Sequence, residues 1–547
     1  MKILLVYPPK EGEVCEFITA DFVNDDAYNY PPMGLLAIAA NVDPRHSLKV
    51  LDCCTQKLSI DDTVNFIVDE NPDVLGISMV SRRLYPSNMV AEKIKGLLPD
   101  TKIVAGGAHI NDYAMETMAL GNYDYALAGY CEHTFPQLIE FLDNPDNSNH
   151  QLEDIPGLYF MHHGKIHNNP PSDIPIVLDD LPYPKRELIE LGDYYTASTH
   201  QTMTTLYTSR GCPYKCTFCT NATIYMKTRE RSPENVRDEA IYLRDKFGIQ
   251  GIRFDDDLLI LQKDRTLALC EEMKKTGLLW TGQSVGRATA DEETVKALSE
   301  SGCVGYGIGI ESGSDKMLEM MMKGSRTVHY EKAYYNALKY KLGIRVQLIY
   351  GMPGENKETL QETIDFFKRT GMPPRRFNRL FPMPGSAIYD QCVQNRIIYN
   401  EHDYLNCTSM VGGYTSRELL FNVTNFSNED YNNNLDWVEK TLYNNYDKLI
   451  RDDKLYLYHK LKYYFLKLIT LKPIYYRIVK YHNVLKGCLN KKEVQTSLIS
   501  ELTDFYEELL PKKHNLGFSN RPLKDKRLEK IQFKWETRKT RAKEKAA

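Results

Sequence analysis

Three thiols in one short run are the residues best equipped for chemistry: Cys212, Cys216 and Cys219, within Gly211-Cys-Pro-Tyr-Lys-Cys-Thr-Phe-Cys219. Cysteine thiolates are the usual ligands of iron–sulfur clusters, and the CxxxCxxC spacing lets a short loop wrap them around a four-iron cube. Three ligands for four irons leave one iron open to substrate, so the run reads as a reactive 4Fe-4S cluster rather than an electron wire. A structural zinc site asks for four ligands in paired knuckles, and no second CxxC or HxxxH pair follows. Disulfides are disfavoured because Met1-Lys-Ile-Leu-Leu-Val-Tyr-Pro-Pro is too short and ends in prolines, unlike a secretory signal. Three chance cysteines among twelve would not explain the aromatic Phe218 just before the last one.

With that aromatic, the motif resembles the radical S-adenosylmethionine (SAM) enzymes. The resemblance implies that the open iron chelates the amino and carboxylate groups of SAM, with Phe218 beside the adenine. The reduced cluster would cleave the sulfonium to a 5′-deoxyadenosyl radical, while the protein orients the parts and excludes water.

The elements that must hold this loop read as parallel α/β structure. Strands are expected at Lys2–Tyr7, 48–51, 74–77, 103–105 and 125–128, with helices near 33–40, 60–68, 89–98, 114–120 and 135–142. Apolar strands alternating with amphipathic helices indicate a doubly wound, Rossmann-like sheet over residues 1–143. Ligands bind such a sheet beyond the strand carboxyl ends. Small residues stand there: Ser78 after Gly76-Ile, and Gly106-Gly107-Ala-His109, with Pro31-Pro32-Met33-Gly34-Leu35 capping the first helix.

In this order the loops resemble the cobalamin-binding domain that precedes many radical SAM cores, which makes Ser78, Gly106, Gly107 and His109 cofactor-binding candidates. Two departures stand out. The Asp-x-His-x-x-Gly motif is missing from the loop Pro8-Pro9-Lys10-Glu11-Gly12-Glu13, which implies cobalamin bound with no histidine below the metal. His109 is the one substitute weighed, but contact with backbone or the ligand's periphery is the reading adopted. Gly129-Tyr130-Cys131-Glu132 stands where relatives carry an acid flanked by glycines.

Residues 144–201 form a linker rich in Asn, Asp and Pro, with a small hairpin from Ile155-Pro-Gly-Leu-Tyr-Phe160 and Lys165-Ile-His167. From 202 to 390 strands and helices alternate again as a partial β/α barrel of the TIM type, whose chemistry belongs at the strand carboxyl ends. Five runs mark those ends: 251–257, 280–287, 305–314, 344–355 and 377–386. By resemblance, Glu311 accepts hydrogen bonds from the SAM ribose with Ser312 beside it; a helix-capping acid is the bland alternative. Arg287 pairs with the SAM carboxylate or forms a surface ion pair, and Gly351-Met352-Pro-Gly lets backbone reach the adenine. Asp255, Asp256 and Asp257 are candidates for substrate or SAM hydroxyls. Successive strand residues face opposite ways, so they do not form one metal cage. Tyr306, Gln347, Tyr350 and Arg379 complete the polar strand-end set, with packing the safer role for the tyrosines.

Residues 391–547 read as mainly helical, beginning at Phe426-Ser-Asn-Glu-Asp-Tyr. The aromatic, basic stretches from Leu455 and Pro473 either cover the barrel with snorkelling lysines, the reading adopted, or lie peripherally on an anionic membrane. A basic tail follows Asn520 without the aromatic interleaving of RNA binders. A net charge of −4 over 547 residues gives no electrostatic case for nucleic acid. No apolar run reaches the ~20 residues of a membrane span, and reduced cysteines with an oxygen-labile cluster point to the cytoplasm of an organism living at low oxygen.

The implied activity is cobalamin-dependent methyl transfer to carbon of a small-molecule or lipid substrate, with electrons from an external donor such as flavodoxin or ferredoxin. A cobalamin-dependent cyclase or rearrangase is the alternative. A methylthiotransferase would carry three more cluster cysteines and an RNA-binding barrel, and a non-catalytic sensor would not need the strand-end set.

Overall fold

Burial on both faces explains the first sheet. Ile3, Leu4, Leu5 and Val6 are all buried, so β1 (Lys2–Tyr7) has no solvent face and its neighbours run parallel to it. In the computed structural model, β1 lies between β2 (Ser47–Asp52) and β3 (Val74–Ser78), followed by β4 (Lys102–Gly106) and β5 (Tyr125–Leu127), all parallel. The hairpin β6 (Leu158–His162) and β7 (Lys165–Asn168) adds two antiparallel strands to this sheet at its β5 edge. Leu158 and Phe160 enter the same apolar cluster as Ile3, Val74, Val104 and Phe135, so the sheet runs on past residue 143.

The described residues are 1–10, 30–146, 148–171, 176–194, 203–220, 228–398, 400–401, 404 and 422–452. The expected loop residues Glu11 to Glu13, the aromatic stretches from Leu455 and Pro473, and the basic tail lie outside them. All described residues belong to one compact unit.

Local chemistry sets the helix limits. The helix Ile60–Glu70 opens on a capping box, with Ser59 Oγ accepting from the Asp62 amide at 3.0 Å and Asp62 accepting from the Ser59 amide at 3.2 Å. The helix expected at 89–98 spans Leu84–Leu97; Pro86 sits in its first turn, where a missing N–H costs nothing. The helix expected at 135–142 begins at Cys131, with Pro136 inside it.

The second sheet holds six parallel strands in the order β15-β14-β13-β12-β11-β8, an open partial barrel. They are β8 (Met203–Leu206), β11 (Gly251–Phe254), β12 (Leu279–Ser284), β13 (Cys303–Glu311), β14 (Gly343–Tyr350) and β15 (Phe377–Arg379). A short antiparallel pair, β9 (Ser209–Arg210) with β10 (Arg229–Glu230), leaves the end of β8. Because the strands are parallel, every carboxyl end opens on one rim. Trp280 is fully buried in the core, its indole N–H donating to the Ser301 carbonyl at 2.9 Å.

The helix Asn428–Asp452 starts at the capping Ser427, whose Oγ accepts from the Asp430 amide at 3.0 Å. Tyr431, Leu435, Val438 and Leu442 share one face and enter the barrel core. Among the described residues no helix is long and apolar enough to cross a membrane.

Candidate active site at the facing strand ends

The cysteine loop is hung from β11 and a set of arginines. Buried Asp256 accepts from the Thr208 amide at 2.8 Å, Thr208 Oγ1 at 2.6 Å and Ser209 Oγ at 2.6 Å. Asp257 accepts from the Gly211 amide at 3.0 Å. Arg186, Arg231 and Arg265 donate to the carbonyls of Thr205, Tyr207 and Thr208 at 2.8, 2.9 and 3.0 Å. Two of the three acids weighed for ligand hydroxyls thus hold the base of the loop. The third, Asp255, faces Tyr207 and Arg253.

Farther along, the Thr217 amide donates to the Met321 carbonyl at 3.1 Å, and the Cys219 amide to the Cys216 carbonyl at 3.0 Å. Burial pushes the Cys216 thiol up to about 11; nearby Lys323 works against this, while Cys219 and Cys212 add to it. Cys212 is raised by burial too, eased by the Tyr214 amide and reinforced by Cys219. The three sulfurs therefore lie within each other's field, and a ligand that binds them as thiolates must displace protons. Among the described residues no three His, Cys, Asp or Glu side chains gather closely enough for a single metal ion. Three cysteines coupled to one another in one loop are the donor set that iron–sulfur clusters take, so the residues present fit a cluster.

Glu311 ends β13 in a left-handed conformation (φ 64°) at a break in register after Gly309. A non-glycine residue held there is strained, and such strain concentrates at functional sites. Its Oε1 lies 2.7 Å from Lys323 Nζ, which stands 5.5 Å from the Phe218 ring centre. Burial works against the Lys323 ammonium, but Glu311 together with Tyr330 and Cys216 holds the group above its usual range. A Cβ on Gly309 would collide with the Glu311 carboxylate and lie 2.8 Å from Lys323 Nζ, so a side chain there would push this pair aside.

Other candidates are placed differently. Ser312 is buried against the wall, its hydroxyl 3.3 Å from Thr363 Oγ1 and accepting from the Ser314 amide at 3.2 Å. Arg287 is exposed on the short helix Gly286–Thr289, donating to the Gly324 carbonyl at 3.4 Å. The Gly351 amide donates to buried Glu355 at 2.6 Å, and Met352 is buried beside it. Burial pushes the Glu355 carboxyl up to about 8, against the pull of the Gly351 and Met352 amides.

A cavity of about 480 Å³ joins the ends of both sheets. Ser78, Gly106, Gly107 and Gly129 line one wall; Tyr207, Arg210, Gly211 and Asp257 line the other. Gly107 (φ 99°) packs so tightly that a Cβ would lie 2.6 Å from the Met79 carbonyl. The deep end is apolar, with Leu5, Leu35, Val104, Leu127 and Phe135. Such a wall of backbone over an apolar floor suits a large, flat ligand with an apolar appendage. His109 does not line the cavity. It is buried, 3.1 Å from Ser81 Oγ and stacked on Tyr113 at 5.2 Å, and burial depresses its pKa to about 4. The walls meet where Arg210 reaches Glu132 at 2.5 Å and lies over the Tyr130 ring at 5.0 Å.

Residues 206–367 match the Radical SAM superfamily and residues 21–139 the B12 binding domain. An uncharacterised methyltransferase of Pyrococcus horikoshii is 30% identical over 73% of this chain and 84% of its own length. This chain is a cobalamin-binding radical SAM enzyme. Its cofactors are a 4Fe-4S cluster, SAM and cobalamin, and methyltransferases are prominent among its relatives, with cyclases at lower identity. The cytidylyl-2-hydroxyethylphosphonate methyltransferase of Streptomyces wedmorensis is 28% identical over 65% of this radical SAM enzyme and 73% of that protein. In fold, the enzyme resembles the cobalamin-dependent radical enzyme OxsB, solved with aqua-cobalamin and SAM bound (TM-score 0.62, 16% identity, 98% of this chain and 83% of that one).

The residue of this radical SAM enzyme that spacing alone does not single out is Lys323. Its signal is a lone cation in Met320-Met-Met-Lys323-Gly324, after a strand-end acid twelve residues earlier.

Proposed function

We propose that this enzyme methylates a carbon atom of a small-molecule substrate held in the cavity between the two sets of strand ends. The observation that carries the reading is that one cavity touches both the glycine wall of the first sheet and Gly211, next to the first cluster cysteine. Cobalamin and the SAM-derived radical can then meet one substrate without release. Bound there, the cofactors supply the methyl group and the hydrogen-abstracting radical.

The chain's own residues position these groups. Cys212, Cys216 and Cys219 hold the cluster, and Phe218 packs beside the adenine. Glu311, with acceptor capacity beyond its bond to Lys323, takes ribose hydroxyls. Lys323, already in a carboxylate's reach, is better placed than exposed Arg287 to meet the SAM carboxylate. Ser78, Gly106 and Gly107 border cobalamin, and His109 supports Tyr113 behind that wall instead of ligating cobalt. An external one-electron donor such as flavodoxin or ferredoxin reduces the cluster.

The test is anaerobic turnover of reconstituted enzyme with cobalamin, SAM and a chemical reductant. Methyl transfer yields both 5′-deoxyadenosine and S-adenosylhomocysteine. Deoxyadenosine without the homocysteine product would replace methylation by cyclisation or rearrangement.

A further inference from the structure

The cluster must be reduced from outside, and the cavity side is taken up by cofactors and substrate. The opposite side of the loop is open to solvent in a distinctive way. Pro213 and Lys215, between the first two ligands, are exposed. The turn after Met320 presses on the loop from the same side. Its Met322 carbonyl lies 4.0 Å from the Cys216 sulfur while the residue itself is 55% exposed. Met320 is 43% exposed beside it. A single residue thus separates solvent from a ligating sulfur.

Cations surround these two methionines. Arg287 bonds the Gly324 carbonyl, and a Cβ on Gly324 would touch the Tyr214 ring at 3.0 Å, which places Arg287 against the cluster loop. Arg326 and Lys332 are exposed on the following turn and helix. Arg287, Lys332 and Arg326 crowd His329 closely enough to depress its pKa together with burial, the main cause. The acids along this stretch are Asp315, which accepts from the Thr327 amide at 2.7 Å, exposed Glu319, and Glu331, which lies 3.5 Å from Arg369. With exposed Lys316, five cations against these three acids make a positive collar on a chain whose net charge is −4. Soft, adaptable methionines inside a charged rim suit a small, transient contact that is steered electrostatically.

We propose that this collar, Lys215, Arg287, Arg326 and Lys332 around Met320 and Met322, is the docking surface for an acidic one-electron carrier protein. One electron passes from the carrier's reduced centre to the oxidised cluster, leaving the carrier oxidised by one electron and the cluster reduced by one. The inference rests on the SAM-cleaving reading of the site.

The test compares wild type with the Lys215→Glu/Arg326→Glu variant and with Lys274→Glu, a control on an exposed position of another helix. Binding of an oxidised, acidic flavodoxin is measured by calorimetry at low and high ionic strength, with iron content and melting temperature confirming the fold. Deoxyadenosine formation is then driven either by reduced flavodoxin or by dithionite. The collar variant is expected to bind flavodoxin about tenfold or more weakly, and to lose flavodoxin-driven but not dithionite-driven turnover. Lys274→Glu is expected to match wild type, and high salt to weaken the wild-type and control complexes far more than that of the collar variant. Equal flavodoxin affinity in wild type and collar variant overturns the proposal. So does a collar that binds anionic vesicles and not flavodoxin. If dithionite yields no deoxyadenosine from wild type, the SAM-cleaving reading fails instead, and the binding arm still decides whether the collar docks the carrier.

Discussion

Lys323 and Glu311 form a nearly enclosed pair, with side chains 15% and 7% exposed. Removing one partner of such a pair leaves the other buried and uncompensated, at a cost of about 3 kcal/mol. Lys323→Met is therefore expected to lower the melting temperature and to weaken SAM binding roughly tenfold or more, about 1.4 kcal/mol per decade. Calorimetry with SAM checks this, and Lys323→Arg is expected to restore much of the loss. Glu355 gives a pH dependence. Its carboxyl rises from an ordinary 4.5 to about 8, so the folded state holds the proton more tightly than the unfolded chain does. The stability it contributes is complete below about 4.5 and is lost as pH climbs through about 8. Glu355→Gln keeps an acceptor for the Gly351 amide without the charge. Its denaturation midpoint should vary less than wild type's over that range and exceed it on the alkaline side. The cysteines were legible because one loop holds all three. Lys323 was not, because its partner lies across a helix and a turn that spacing does not measure. The anchoring role of Asp256 was not legible because it lies past the end of β11, where strand alternation no longer says which way a side chain faces, and neighbouring Asp256 and Asp257 both turn to the same loop.

At the scale of elements, the first sheet was legible where burial on both faces leaves an apolar run, as in Ile3 to Val6, whereas the strands of the second, such as Leu279–Ser284, mix polar residues in and were legible from the glycines and polar groups at their carboxyl ends. The hairpin was legible as a hairpin, but its attachment to the first sheet depends on backbone pairing with β5, which residue type does not encode. The helix Asn428–Asp452 shows the same limit. Its capping serine is plain in sequence, yet its role behind the Gly351 turn is not. Tyr350 donates its hydroxyl to the Tyr431 carbonyl at 2.6 Å, and the two rings meet edge to face at 4.7 Å. The Tyr431 ring sits where a Cβ on Gly351 would be. Tyr431→Ala should cost about 3–5 kcal/mol, since truncating a buried aromatic leaves a cavity. Chemical denaturation measures that loss. SAM affinity should fall with it, because the Gly351-Met352 turn loses its backing.

On the scale of the whole molecule, the two sheets are joined by bonds that no local pattern announces. Tyr194 donates to Asp52 at 3.0 Å, and Arg210 meets Glu132 at 2.5 Å. Tyr113 donates toward Tyr389 and Glu401 at 2.5 and 2.8 Å, with Tyr389 also 2.8 Å from Glu401. Arg210 is two residues from Cys212, so its bond to Glu132 ties the cluster loop to the cobalamin-binding sheet. In a double-mutant cycle, Arg210→Ala and Glu132→Ala should show a coupling of about 1–3 kcal/mol. Each variant should also make less S-adenosylhomocysteine per deoxyadenosine, because the two cofactors are no longer held in register. The bonds to Asp256, Asp257, Arg186, Arg231 and Arg265 all fall on residues 205 to 211, ahead of the first cysteine. The root of the loop is thus held without calling on any of the three thiols. Replacing Cys216 by Ala is therefore expected to leave hydrogen exchange at the Thr208 and Gly211 amides slow, so that the loss of a ligand is felt beyond Gly211 and not in the sheet that carries it.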